Sequence, residues 1–196
     1  MASLSEAKAM GGIGSVLVLL TPVPSVGWLL GIVGFILTLI AIRSISVIVE
    51  DRDIFNNMVI AIILAIVAVV VAGLAIIGAF LAVIGVGGFG GMSAGVPPNL
   101  QQGNWVAFAL AIIPGLIAVW IMLIISAVFL RKSYSSIATK LDVGLFDTAA
   151  LIYLIGAITA VIAIGFVLIL VAEILFAVAF FSIREKETAK NPTLPA

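Results

Sequence analysis

The chain has 196 residues, of which 64% are hydrophobic and 9% are charged, and its mean hydropathy is +1.44. This composition lies far above the apolar share of about 45–50% in soluble domains and predicts an integral membrane protein. Nine basic residues balance nine acidic ones, and histidine and cysteine are both absent, so we expect no nucleic-acid partner, no cofactor, no metal site and no enzymatic activity.

Charged residues divide the chain into three apolar blocks, and each block is long enough for two membrane-spanning helices of about 20 residues. The first block is interrupted by TPVPS at residues 21–25. Its two prolines end one helix, and Ser25 can cap the next. We therefore predict helix 1 over residues 3–20 and helix 2 over residues 26–48.

The second block is interrupted by residues 85–104, which are too rich in glycine and proline to span a membrane and are predicted to form an outer loop. Helix 3 is predicted to begin near Asn56, and helix 4 to run from near Trp105 to a point before Arg131. Apolar residues then recur at four-residue spacing, which predicts a separate short helix on the inner surface. These residues are Ile137, Leu141 and Leu145.

The third block, residues 148–183, contains 36 residues without an obvious helix breaker. As a single helix it would be about 54 Å long, well beyond the thickness of a bilayer. We therefore predict two helices with a tight turn near Ile164, Gly165 and Phe166.

The distribution of basic residues supports six spans. With six helices and a cytoplasmic N-terminus, all nine lysines and arginines fall on the cytoplasmic side. Five spans, the second choice, would place the polar tail at residues 184–196 outside. The predicted fold is an all-α bundle in which residues 1–196 form a single transmembrane domain, multi-pass in the cell membrane, with six spans and both termini cytoplasmic.

Several segments resemble an archaeal family of integral membrane proteins catalogued as domain of unknown function 996. The resemblance covers residues 10–186 and is carried by the order of the segments rather than by a chemical motif. It implies a multi-span fold and a thermophilic archaeal source, which the absence of cysteine also suits, and it implies no activity. The segments are MGGIGSVLVLL, VGWLLGIVGFILTLIAIRSIS, DRDIFNNMVIAIIL, GLFDTAALIYLIGA and AFFSIREK.

Small residues recur along one face of two predicted helices. They are Gly27, Gly31 and Gly34 in helix 2, and Gly156 and Ala160 in helix 5. In lipid, small side chains let helix backbones approach each other closely. These residues are predicted to pack helices within the monomer or, alternatively, against a partner subunit.

Glu173 is the only charged residue between Asp147 and Arg184. The six-helix arrangement places it about 12 Å deep, where an ionised carboxylate is costly. Without a counter-charge the neutral acid is favoured, so we predict a protonated Glu173 that hydrogen-bonds a hydroxyl at similar depth. The candidate partners are Thr159, Tyr153 and Ser15.

The sequence favours one of two functions. The favoured first function is a non-enzymatic structural or accessory subunit of a larger membrane assembly, or a homo-oligomer, whose partners are the lipid bilayer and other membrane subunits or itself. The second function, the alternative, is a transporter or channel for protons, cations or small solutes that uses Glu173. In the first case Glu173 anchors helix 6 or contacts another subunit; in the second it exchanges a proton or a cation.

Overall fold

The computed structural model describes residues 3–83 and 104–184, and within these ranges the chain is helical apart from short turns. The all-α prediction is confirmed. The predicted outer loop lies outside the described residues except for Asn104, as does the polar tail except for Arg184. The six helices are α1 (Leu4–Leu19), α2 (Gly27–Ile48), α3 (Arg52–Val83), α4 (Asn104–Leu141), α5 (Leu145–Thr159) and α6 (Ile164–Phe181).

Five of these helices, α2 to α6, are long and apolar enough to cross a membrane. The first helix, α1, has 16 residues. At 1.5 Å per residue it is about 24 Å long, somewhat less than the roughly 30 Å of hydrocarbon in a bilayer. The helices therefore indicate a membrane protein, with α1 as a shorter element beside five full-length candidates.

The third apolar block forms a helical hairpin, as predicted, but its turn lies earlier than residues 164–166. A 3₁₀ turn, Ala160–Ile162, follows α5, and Ala163 then adopts a left-handed conformation with φ of 59°. Gly165 belongs to the first turn of α6, where a Cβ atom would collide with the carbonyl oxygen of Gly156. Gly165 is therefore needed for close packing of the hairpin rather than for the turn itself.

Trp120 of α4 forms hydrogen bonds with the α5–α6 hairpin. Its indole N–H lies 3.2 Å from the carbonyl oxygens of both Ala157 and Ile158. These two carbonyls belong to the last turn of α5, where a helix leaves its C=O groups without intrahelical partners. The indole thus stabilises the end of α5 and joins it to α4.

The predicted end of helix 4 before Arg131 is wrong, as is the separate helix on the inner surface. Instead, α4 continues to Leu141, and Ile137 is fully buried against the other helices. The apolar spacing in this segment therefore belongs to a bundle helix that extends beyond its first basic residues. At the start of α3, the Asp51 side chain accepts a hydrogen bond from the Asp53 amide at 3.1 Å, which lets this helix begin at Arg52 rather than near Asn56.

Each helix packs against the next in chain order, and α6 packs against α1, so the six helices form a closed ring. The start of α1, the α2–α3 and α4–α5 turns and the end of α6 meet at one end of this ring. We call it the charged end, because the charged residues of the described ranges other than Glu173 lie in these segments or in the adjoining parts of α2, α4 and α5, as Arg43, Arg131 and Asp147 do. There Lys8 Nζ donates a hydrogen bond to the Ile183 carbonyl oxygen at 2.9 Å, which ties α1 to the chain leaving α6.

The best-packed part of the bundle lies next to the charged end. The rings of Phe146 and Phe180 meet edge to face, with centroids 4.9 Å apart, an arrangement that aromatic quadrupoles favour. We call the fully buried large side chains here the plug. They are Ile42, Ile45, Ile54, Ile137, Phe146, Phe180 and Ile183.

Two serines of α4 hold it against α3. Ser126 Oγ donates to the Ala61 carbonyl oxygen at 2.7 Å, and Ser133 Oγ donates to the Ile54 carbonyl oxygen at 2.8 Å. Both serines are buried. The donors are seven residues apart and so are the acceptors, which makes a two-rung serine ladder along an antiparallel helix pair. Polar bonds of this kind stabilise helix contacts in lipid by about 0.6 kcal/mol each on average.

Candidate functional site

Glu173 lies at the middle of α6, eight residues before its last residue, Phe181, and nine after its first, Ile164. This places its Cα about 12–14 Å from either end of the helix. The side chain is partly buried. The observed hairpin therefore places Glu173 near the middle of its helix, while its depth in a membrane stays a prediction.

The carboxylate lines a cavity of about 60 Å³ in the centre of the helix ring. This volume exceeds the roughly 10–15 Å³ that one water molecule requires. Side chains from α1, α2, α3, α4 and α6 surround it. The polar ones are Ser15, Thr38, Tyr134 and Glu173, and the apolar ones include Phe35, Ile42, Met58 and Phe176.

Two phenols flank Glu173. The Tyr134 ring is buried and stacks on Phe176 with centroids 4.1 Å apart, while Tyr153 is partly buried and faces the same ring at 6.5 Å. Both phenols are close enough to the carboxylate to interact with it electrostatically. The Phe176 ring therefore contacts two hydroxyl-bearing side chains that lie near Glu173.

A close crossing of α1 and α2 lies beside the cavity. Gly34 of α2 faces the backbone of Gly14 of α1, where a Cβ atom on Gly34 would lie 2.5 Å from the Gly14 carbonyl oxygen. Thr38, one turn further along α2, donates its hydroxyl hydrogen to the Gly34 carbonyl oxygen at 3.0 Å. The close approach brings Ser15 and Thr38 to the same cavity wall.

The other predicted packing residues lie away from the cavity. Gly27 and Gly31 face Thr21 in the turn between α1 and α2. Gly156 and Ala160 face Gly165 across the α5–α6 hairpin. These four positions therefore meet elements of the same chain.

The predicted hydroxyl partners of Glu173 are only partly brought together. Ser15 lines the same cavity, and Tyr153 is near the carboxylate. Thr159 is not among the residues that line the cavity, and its hydroxyl donates to the Ile155 carbonyl oxygen of its own helix at 2.8 Å. No residue within the described ranges donates a hydrogen bond to the Glu173 carboxylate, which instead faces the cavity.

Sequence reasoning missed Tyr134 and Thr38. Tyr134 follows Arg131 and Lys132 closely, and these charges placed it outside the predicted helix. A usable signal was present, since apolar and aromatic residues continue at helical spacing through this segment. They are Leu130, Tyr134, Ile137 and Leu141.

The cavity wall offers only a few kinds of functional group. Glu173 is the only charged side chain among the lining residues, and the other polar groups are hydroxyls. Within residues 3–83 and 104–184, no three His, Cys, Asp or Glu side chains come close enough to share a metal ion. A single carboxylate among hydroxyls can accept a proton or hold one positive charge.

Comparison with known proteins agrees with the resemblance seen in the sequence. The family described as protein of unknown function (DUF996) matches residues 30–174. The chain is also similar to an uncharacterised protein of Methanocaldococcus jannaschii, with 30% identity over 188 residues that cover 96% of this chain and 97% of that protein. No solved structure matches the chain. The family match spans most of the sequence, and the chain belongs to the DUF996 family.

Proposed function

We propose that the protein is a non-enzymatic, multi-pass protein of the cell membrane that moves protons or small cations across the bilayer, with Glu173 as the exchange site. The observation that supports this best is the position of the carboxylate. It lies at the middle of α6 and faces a cavity in the centre of the helix ring. Ionisable residues in this position, facing a bundle interior, mark ion pathways and proton relays in membrane proteins.

A purely structural role accounts less well for Glu173. An acidic residue at the centre of a spanning helix costs about 2.5–3.5 kcal/mol on insertion scales. A buried anchor would recover part of this through hydrogen bonds to neighbouring helices, as the serine ladder does between α3 and α4. The Glu173 carboxylate receives no such bond from the described residues, so the arrangement suits a group that binds and releases a ligand.

The plug and the cavity suggest how exchange is controlled. The plug closes the ring between the cavity and the charged end. With six spans and both termini cytoplasmic, as we propose from the basic residues, the charged end is the cytoplasmic end. A transported proton or cation must then pass the plug, and its movement requires the helices around Phe146 and Phe180 to separate.

The test is flux through the purified protein in liposomes. We expect the wild-type chain to dissipate an imposed pH gradient, followed with a trapped pH-sensitive dye, and Glu173→Gln to lose this activity because the amide cannot exchange a proton. Glu50→Gln is the matched control, since Glu50 is exposed in the turn between α2 and α3. This control should keep wild-type flux.

Two results would contradict the proposal. One is wild-type flux no greater than that of empty liposomes under both proton and sodium gradients. The other is a Glu173→Gln variant that folds and carries both ions at the wild-type rate.

A second function, an accessory subunit or a homo-oligomer, is favoured by the surface of the α3–α4 pair. These two helices pack more extensively on each other than on any other helix, and they expose large apolar side chains. Those of α3 include Ile66, Val69, Val70, Leu74, Ile77 and Phe80, and those of α4 include Leu110, Ile113, Leu116 and Ile117. Lipid or another subunit must cover this surface.

Extraction in a mild detergent shows whether lipid or another subunit covers the α3–α4 surface. If the surface binds protein, the purified particle will exceed the 20.3 kDa of one chain, measured by light scattering with the detergent contribution subtracted. Replacing Leu74, which is 57% exposed, with tryptophan should then weaken the association by steric mismatch. A particle of one chain that carries no other protein would argue against this second function.

A further inference from the structure

We propose that the cavity is a binding site for a small, hard, singly charged cation of the sodium class, held by Glu173 together with hydroxyl oxygens of Ser15, Thr38 and Tyr134. The inference rests on the proposed function, because it uses the same carboxylate. It goes further by assigning the ion and its ligands. Protons and the cation would then compete for one site.

The charge of the ligand follows from the charge of the cavity. One carboxylate lines it, and every other lining residue is neutral. A singly charged cation makes the occupied site neutral, whereas a divalent cation leaves one unpaired positive charge in the low-dielectric interior. Calcium sites generally use several carboxylates among six to eight oxygen ligands. The cavity therefore favours a monovalent ion.

The donor atoms favour a hard cation. Carboxylate and hydroxyl oxygens suit hard ions, whereas softer metals select thiolates, thioethers or imidazoles. The sequence has no cysteine or histidine, and the one sulfur in the cavity wall, the thioether of Met58, is a weak ligand. Thr38 already donates its hydroxyl hydrogen to the Gly34 carbonyl oxygen, so its remaining lone pairs are available to a cation.

The small volume of the cavity favours an inorganic ion over a larger organic cation. Aromatic rings beside a carboxylate would attract an ammonium group through cation–π contacts, and the Tyr134 and Phe176 rings lie in the cavity wall. However, the volume is about 60 Å³, well below the roughly 150 Å³ of an engineered cavity that accommodates benzene. An inorganic ion with one or a few waters fits this space.

Protection from a carbodiimide tests the proposal. Dicyclohexylcarbodiimide enters apolar sites and reacts with a protonated carboxyl group, so a cation that displaces the proton slows the reaction. The full-length protein is labelled in detergent in sodium chloride or choline chloride at equal pH and ionic strength, and adducts are located by mass spectrometry. We expect labelling at Glu173 that sodium slows and that magnesium does not, with none at this position in Glu173→Gln.

Two variants test the ligands separately. Ser15→Ala and Thr38→Val should each require roughly tenfold more sodium for the same protection, as expected when one oxygen ligand worth about 1.4 kcal/mol is lost. Labelling of both variants in choline at the wild-type rate shows that the fold and the carboxyl group are intact. Thr139→Val, at an exposed position outside the cavity, should leave sodium protection unchanged.

The outcomes separate this inference from the proposed function. If Glu173 reacts but sodium never slows the reaction, the site takes protons only, and the cation assignment is overturned while proton flux can persist. Equal protection by magnesium would also overturn it. Absence of wild-type proton and sodium flux in liposomes would instead remove the proposed function, whatever the labelling shows.

Discussion

Replacing Gly34 with alanine is expected to destabilise the protein by about 1–3 kcal/mol, the usual effect of overpacking a close contact. The added Cβ would lie 2.5 Å from the Gly14 carbonyl oxygen and 2.7 Å from the Val18 amide nitrogen. Both are backbone atoms of α1 and cannot move aside as a flexible side chain can. The helices α1 and α2 must therefore separate, which also disturbs the cavity wall that contains Ser15 and Thr38.

The matched control is Gly73→Ala in α3. A Cβ atom at Gly73 meets no other atom within 4 Å. Because alanine favours a helix over glycine by about 1 kcal/mol, this variant should be neutral or slightly more stable. The measurement is the free energy of unfolding in mixed detergent micelles. Equal effects of the two substitutions would show that the α1–α2 crossing does not depend on close backbone contact.

Replacing Phe180 with alanine is the second large change. Phe180 is fully buried in the plug, meets Phe146 edge to face, and lies over Gly11 of α1. In water-soluble cores Phe→Ala costs about 3–5 kcal/mol. Because lipid is as apolar as a protein core, moving the side chain into lipid contributes little to stability. Only the lost packing contacts and the cavity left by the ring contribute to the destabilisation here. We therefore expect a loss near the lower end, at about 3 kcal/mol.

Phe166→Ala provides the comparison within the same helix. The Phe166 side chain is 66% exposed, so its removal should change the free energy of unfolding by less than about 0.5 kcal/mol. If the plug also limits ion passage, Phe180→Ala should raise the rate of flux in liposomes while Phe166→Ala should not. Similar stability losses for both variants would contradict the tight packing assigned to the plug.

The order of the helices was predictable because it depends on local chemistry. Prolines at Pro22 and Pro24 end α1, and the 36-residue apolar block from residue 148 is too long for one crossing. The length of α4 was harder to predict, since Arg131 and Lys132 resemble a membrane boundary. Long basic side chains can extend toward water from a helix that continues past them. Charge alone therefore does not mark the end of such a helix.

The position of Glu173 along its helix was predictable, but its neighbours were not. Counting residues along α6 places Glu173 near the middle of the helix, and the structure agrees. The same counting made Thr159 a candidate partner, yet its hydroxyl bonds its own helix. Tyr134 lies close enough to interact with Glu173 because α4 and α6 both line the central cavity. Which helix faces reach the centre depends on the packing of all six helices, and one helix taken alone does not contain that information.

The serine ladder has a consequence for motion. Its two rungs are spaced equally on α3 and α4, so sliding one helix along the other breaks both bonds together and brings no new pair into register. The helices α3 and α4 should therefore move together as one rigid unit. Any rearrangement that opens the cavity would then pivot at the α2–α3 and α4–α5 turns, where Glu50 and Asp142 already hold left-handed backbone conformations.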